Sequence, residues 1–374
     1  MVQQVRIPPA STGGRAYEQW MQSQDIPIYR GHFVADPMAL ELGWWKERGC
    51  KSCFIQLEGQ QGVSEARITE ISPGETLPPL KMAISEVVYV LEGQGLATVW
   101  AGDGARKTFE FQKHSLFCLP RHCWHQLSNA RGDQTLRLLN YNYLPVAMSA
   151  FPEPHLLFNN PYELSGLLQA EGEDFYAEAK MVTGADGRRG QGTFWRANFI
   201  PDMYAWDKLV PFWGRGAGGT VVFIQFPGAE MSCHMSVFDP QLYKKAHKHG
   251  PGRVIVIPKG EGYSVLWPGT PFSGPVEGAE KVVCPWSEGT IFVPPQNWYH
   301  QHFNTGAGEG RYLALGPLPQ FSGNPYRHQI EYPDEEPWIR ERFSSELEKR
   351  GMKSLMPKEA YENPNWEWDY GDDK

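Results

Sequence analysis

Val87-Val88-Tyr89-Val90-Leu91-Glu92-Gly93-Gln94-Gly95 recurs 167 residues later as Val254-Ile255-Val256-Ile257-Pro258-Lys259-Gly260-Glu261-Gly262. Each is an apolar run of strand length closed by a glycine turn. Tyr29-Arg30-Gly31-His32-Phe33-Val34-Ala35-Asp36 matches Trp195-Arg196-Ala197-Asn198-Phe199-Ile200-Pro201-Asp202 at an offset of 166. Phe54-Ile55-Gln56-Leu57 matches Phe223-Ile224-Gln225-Phe226 at 169, and Pro120, His125 and Asn129 match Pro295, His300 and Asn304 at 175. Four blocks in one order with slowly drifting offsets imply a duplicated unit of about 150 residues, with insertions in its loops.

Both units read as strands. The runs 97–100, 116–119 and 136–140 in the first, and 221–226, 264–267, 290–293 and 311–315 in the second, are apolar or alternating and bounded by Gly, Pro and Asn. Such spacing implies a β-sandwich or barrel in each unit. The 39 Gly, 31 Pro and 13% aromatic residues suit short strands joined by tight turns. Helix is expected mainly at the end. There Asp334-Glu335-Glu336-Pro337 is a start signature, Ile339, Phe343 and Leu347 share a face, and Gly351 stops the helix. The division predicted is 1–165, 166–330 and a helical tail at 331–374.

Composition narrows the function. A chain of 374 residues with 41% hydrophobic and 21% charged residues is globular. The 35 basic against 43 acidic residues argue against a nucleic-acid surface, and no helix-turn-helix pattern or basic run is present. No stretch approaches the roughly 18 apolar residues of a membrane span. The opening MVQQVRIPPASTGG lacks a signal-peptide core, so a cytoplasmic protein is expected. The six cysteines are then read as reduced thiols, Cys50-Lys51-Ser52-Cys53 included, because a second C-x-x-C is missing.

The matched blocks resemble the two motifs of the cupin family. These are Gly, five residues, His-x-His, three or four residues, Glu, six residues, Gly; then Gly, five residues, Pro-x-Gly, two residues, His, three residues, Asn. In the first unit Gly74, Glu86 and Gly93 fit, but Leu80 and Met82 hold the two His positions. Pro120, His125 and Asn129 fit the second motif, with His114 and His122 replacing its glycines. In the second unit His247-Lys248-His249, Gly260, Gly289, Pro295, His300 and Asn304 fit, while Gln241 and Asn297 replace glycines and Arg253 replaces the Glu. The resemblance implies an all-β chain of two tandem cupin barrels (double-stranded β-helix, jelly-roll) with a C-terminal α-helix.

It also implies a metal site in the second barrel only, on His247, His249 and His300. Strand residues i and i+2 face one way, so His247 and His249 point inward together, and His302 follows His300 by the same rule. Leu cannot ligate such a metal, which leaves the first barrel metal-free: a filled core, a small apolar pocket, or a pocket organised by Glu86 and His125. Three imidazoles suit Fe(II), and also Mn, Ni, Cu, Co or Zn. In architecture the chain resembles gentisate-type ring-cleaving dioxygenases. That resemblance implies Fe(II) oxygen chemistry. Three neutral imidazoles without the carboxylate would leave the metal its full charge, so the substrate expected is a small anion, an aromatic or enolisable carboxylate. A cupin isomerase, lyase or hydrolase, or a bicupin that only binds a small molecule, are the alternatives. Arg253 is a candidate carboxylate contact if it points inward rather than out. His302 and Tyr243 are candidate proton-transfer groups. The aromatic outer segments and tail helix leave room for a homo-oligomer interface.

Overall fold

Alternation along the two apolar runs explains why they are apolar throughout. In the computed structural model, strand Glu86–Glu92 lies between Leu136–Asn142 and Leu116–Leu119, and strand Val254–Lys259 lies between Gly310–Gly316 and Ile291–Phe292. Val87, Tyr89 and Leu91 join Val254 and Val256 in one cluster shared by both units. Val88 and Val90 face the interior of the first unit, Ile255 and Ile257 that of the second. A strand buried on both faces has no polar side, hence the unbroken run.

The structure describes residues 3–4, 16–102, 104, 106–170, 172–177, 179–183, 193–322 and 328–370. Most of the opening MVQQVRIPPASTGG and the last four residues lie outside them. Among the described residues, a nine-stranded and a four-stranded sheet form the first barrel, and a nine-stranded and a five-stranded sheet the second. Among the described residues the fold is mainly β: two tandem jelly-roll barrels, followed by a C-terminal helix. No helix among the described residues is long and apolar enough to cross a membrane.

The barrels exchange short strands. Phe33–Val34 pairs with Ile291–Phe292 of the second barrel, and Phe199–Ile200 pairs with Leu116 and Phe117 of the first. Hydroxyls hold both exchanges alike: Ser115 Oγ donates to Pro201 O at 2.6 Å, and Thr290 Oγ1 to Ala35 O at 2.7 Å. Arg137 donates to Pro37 O and Met38 O, and Arg311 to Met203 O and Trp206 O. The block repeated at offset 166 is therefore the pair of exchanged arms.

The motif frame is visible in the backbone. Where His114, His122, Gln241 and Asn297 replace glycines, φ is 70°, 55°, 61° and 63°. The turns keep the left-handed geometry that glycine would adopt without strain. Asn129 and Asn304 each bond backbone carbonyls of neighbouring segments, so both hold turns.

Helix Pro337–Glu348 buries Ile339, Phe343 and Leu347 against the outside of the second barrel, where the Phe343 ring lies 4.9 Å from Tyr243. Its start differs from the expected one. Asp334 ends the 3₁₀ turn Tyr332–Asp334, and the N-cap Glu336 makes no side-chain cap bond. Helix is also not confined to the end. Ala16–Ser23, Leu144–Ala150 and Pro154–Leu157 cover the mouth of the first barrel, packing Trp20, Met21, Leu144 and Leu157 on Leu80 and Met82. These helices have eight residues or fewer and are stabilised by packing, which leaves little periodicity to read.

Candidate metal centre

His247 ends the short strand Ala246–His247 and lies directly opposite His300 on Tyr299–Asn304. Directly opposed residues share a face, so both rings enter the barrel. His249 follows two residues on. Its Nδ1 meets Gly250 O at 2.7 Å, which fixes the ring and leaves Nε2 for a ligand. Lys248, between them, points the other way and donates to Thr270 O and Ser273 O. Ring centroids are 4.0 Å apart for His247 and His300, 4.6 Å for His249 and His300, and 5.6 Å for His247 and His249. One ligand nitrogen from each lies within 4.8 Å of the others. Burial, and then the neighbouring His300, hold His249 well below the ordinary imidazole range, in the neutral form a metal requires. The donor set therefore fits one divalent transition metal.

The three histidines line a cavity of about 680 Å³. Arg253 faces it, with Nη1 3.2 Å from His234 Nδ1. His302 lines it too, its Nδ1 2.8 Å from Ser264 Oγ. Tyr243 does not, which corrects the expected role. Its hydroxyl donates to Glu335 and lies 3.1 Å from that of Tyr361, outside the barrel. The bridge Tyr243–Phe303 and the pair His247–His300 are out of register by one residue. A one-residue slip turns side chains to the opposite face, so counting by twos from His247 misplaces Tyr243.

Several lining residues were not legible as site residues: Arg215, His234, Gln329, Phe212 and Tyr312. For His234 a signal exists in the alternation Ser232, His234, Ser236 along strand Ser232–Phe238, with Cys233, Met235 and Val237 on the apolar face. Arg215 and Gln329 come from segments outside the matched blocks. No Asp or Glu among the described residues lines the cavity.

Register explains why one barrel is open and the other closed. Arg67 pairs with Asn140 and Glu65 with Asn142; at the matching places His234 pairs with Ala314 and Ser232 with Gly316. Glu86 and Arg253 directly precede Val87 and Val254, which pair with the matching Tyr141 and Leu315. Going from the first barrel to the second thus replaces Glu by Ser, Asn by Ala and Asn by Gly. In the first barrel the larger set fills the space: Arg67 donates to Glu65 at 2.5 Å and to Glu86 at 2.7 Å, and Asn140 and Asn142 donate to Glu86. About 40 Å³ remains. Beside the apolar cluster around Val88 and Val90, the place that matches the second barrel's cavity is filled by this buried ionic network, and Leu80 faces His125 where His247 faces His300. Burial pushes His125 down to about 4. Burial alone would raise the Glu86 carboxyl, but Arg67 and its other partners hold it below its usual value.

The six cysteines are free and buried, and Cys50 and Cys53 belong to different clusters, as their odd spacing on one strand requires. No family model and no curated protein matches the sequence. Among solved structures, the chain is similar to an oxalate decarboxylase from Bacillus subtilis, at 12% identity over 88% of this chain and 85% of that one, with a TM-score of 0.45. It is also similar to a salicylate 1,2-dioxygenase from Pseudaminobacter salicylatoxidans, at 12% identity over 72% and 74%, with a TM-score of 0.48. Likeness at this level says nothing about chemistry.

Proposed function

We propose that the protein is a metal-dependent enzyme whose second barrel holds one Fe(II) on His247, His249 and His300 and oxidises a small anionic aromatic or enolisable carboxylate with O₂. The observation that supports this reading most is the convergence of three imidazoles, within 4.8 Å of one another, on a cavity without a lining carboxylate among the described residues. A metal held by these three histidines would supply Lewis-acid and oxygen-activating chemistry beside the bound substrate. With no carboxylate ligand the site keeps the full metal charge and attracts anions. Arg253 offers paired N–H donors to a substrate carboxylate. His302, tied through Nδ1 to Ser264, has Nε2 for taking or giving a proton. Phe212, Phe223, Ile255 and Tyr312 supply apolar wall that excludes water.

The test is oxygen uptake by the Fe(II)-loaded protein against dihydroxy- and aminophenol carboxylates and 1,3-dicarbonyls. Uptake that depends on both iron and a carboxylate supports the reading. Turnover without oxygen consumption would move the protein to the non-oxidative class. Absence of metal after anaerobic purification and reloading would make it a binding protein.

A further inference from the structure

We infer that Arg215 is a second anion contact of this cavity and that the natural substrate carries two acidic groups, one for the metal and Arg253 and one for Arg215. The inference rests on the site proposed above and narrows its substrate class. Arg215 is 7% exposed and lines the cavity. It stands on the segment between Val210–Pro211 and Thr220–Gln225, outside the repeated blocks.

That segment is built for one position. Gly214, Gly216 and Gly218 flank the arginine with φ of 72°, 74° and 55°. At Gly216 a Cβ would lie 2.0 Å from the Tyr332 hydroxyl, and at Gly218 it would lie 3.2 Å from Trp368. Tyr332 Oη in turn donates to Tyr243 O at 2.6 Å, and Tyr370 Oη donates to Gly219 O at 3.1 Å. The backbone carbonyl of Arg215 accepts from Lys245 N at 3.0 Å. Gln329 grips the segment from the site side: its Oε1 accepts from Arg215 Nη1 at 2.8 Å while its Nε2 donates to Gly214 O at 2.8 Å. Gln329 lies opposite His247 in register. Arg215 stems from a loop between two strands of the nine-stranded sheet that also carries His234, but Gln329 ties its guanidinium to the sheet of His247 and His300. Arg253, directly before strand Val254–Lys259 of the nine-stranded sheet, lies instead against His234. A guanidinium on each wall of a 680 Å³ cavity suits a ligand with an acidic group toward each.

The experiment compares affinities of 2-hydroxybenzoate and its 4- and 5-carboxy derivatives, measured calorimetrically on metal-free and metal-loaded protein. For the wild type, one dicarboxylate should bind about tenfold tighter than the monocarboxylate, the effect of one added charge-assisted contact. R215M should remove that preference, costing the dicarboxylate about tenfold and the monocarboxylate clearly less. R215K, with the charge but not the fork, should keep part of it. Equal affinities in the wild type, or equal loss of both ligand classes in R215M, would overturn the inference. The metal reading is judged separately: if loading leaves monocarboxylate affinity unchanged, that reading fails, while the ratio of the two ligands still reports on Arg215.

Discussion

Arg253 stands where the first barrel has Glu86, and the exchange reverses the charge on one wall of the cavity. Arg253→Glu would give the second barrel the usual carboxylate beside its three histidines. Metal affinity should rise and the affinity for a monocarboxylate should fall, each by about tenfold or more, given what one charged contact is worth. Metal titration and calorimetry on the variant check both; unchanged values would mean Arg253 touches neither. In the first barrel the same scale governs stability. His125 has a folded value of about 4 against 6.5 when free, so its contribution is complete above pH 6.5 and is lost as pH falls toward 4. The depressed Glu86 carboxyl acts in the same direction. Denaturant unfolding of the wild type should therefore weaken across that window, and His125→Gln should flatten the slope. A wild-type slope that the variant leaves intact would assign the effect elsewhere. The structure brings the rings of His247, His249 and His300 together, and that convergence was legible from the motif resemblance and the i, i+2 rule. Arg67 was not, because a strand arginine that pairs inward has no mark distinguishing it from one that points to solvent.

Turns and exchanged arms are the elements that make the duplication work. The motif glycines were legible as a frame even where they are replaced, and the backbone keeps φ near 60° at Gln241 all the same. A non-glycine residue held there is strained by about 1–2 kcal/mol, part of which glycine returns through its floppier unfolded chain. Gln241→Gly should thus raise unfolding free energy by about 1 kcal/mol, read from the denaturation midpoint at constant slope; a loss would show that the Gln side chain contributes packing of its own. The arms were legible as a repeat but not as an exchange, since similarity between 29–36 and 195–202 does not say which sheet each joins. Tyr243 was misplaced for a related reason: a register slip is set by neighbouring strands and leaves no trace in residue type.

At the scale of the molecule, the core between the barrels binds the two units into one. Tyr141 reaches across to donate to Gly252 O at 2.8 Å, beside Arg253, and Gly252 N donates to Gly59 O. Each barrel also completes a sheet with the other's arm. Separating the chain between residues 165 and 166 strands both arms on the wrong fragment and exposes the shared apolar faces. Each fragment made alone should be insoluble or lack a cooperative unfolding transition, whereas co-expression should yield a soluble complex; two fragments that fold independently would contradict this. One measurement tests the central claim most directly: metal content per chain in the wild type, His300→Ala and His125→Ala, after identical reloading. The account predicts one metal in the wild type, one in His125→Ala and none in His300→Ala. Two metals in the wild type, or a metal that survives loss of His300 and disappears with His125, would contradict it.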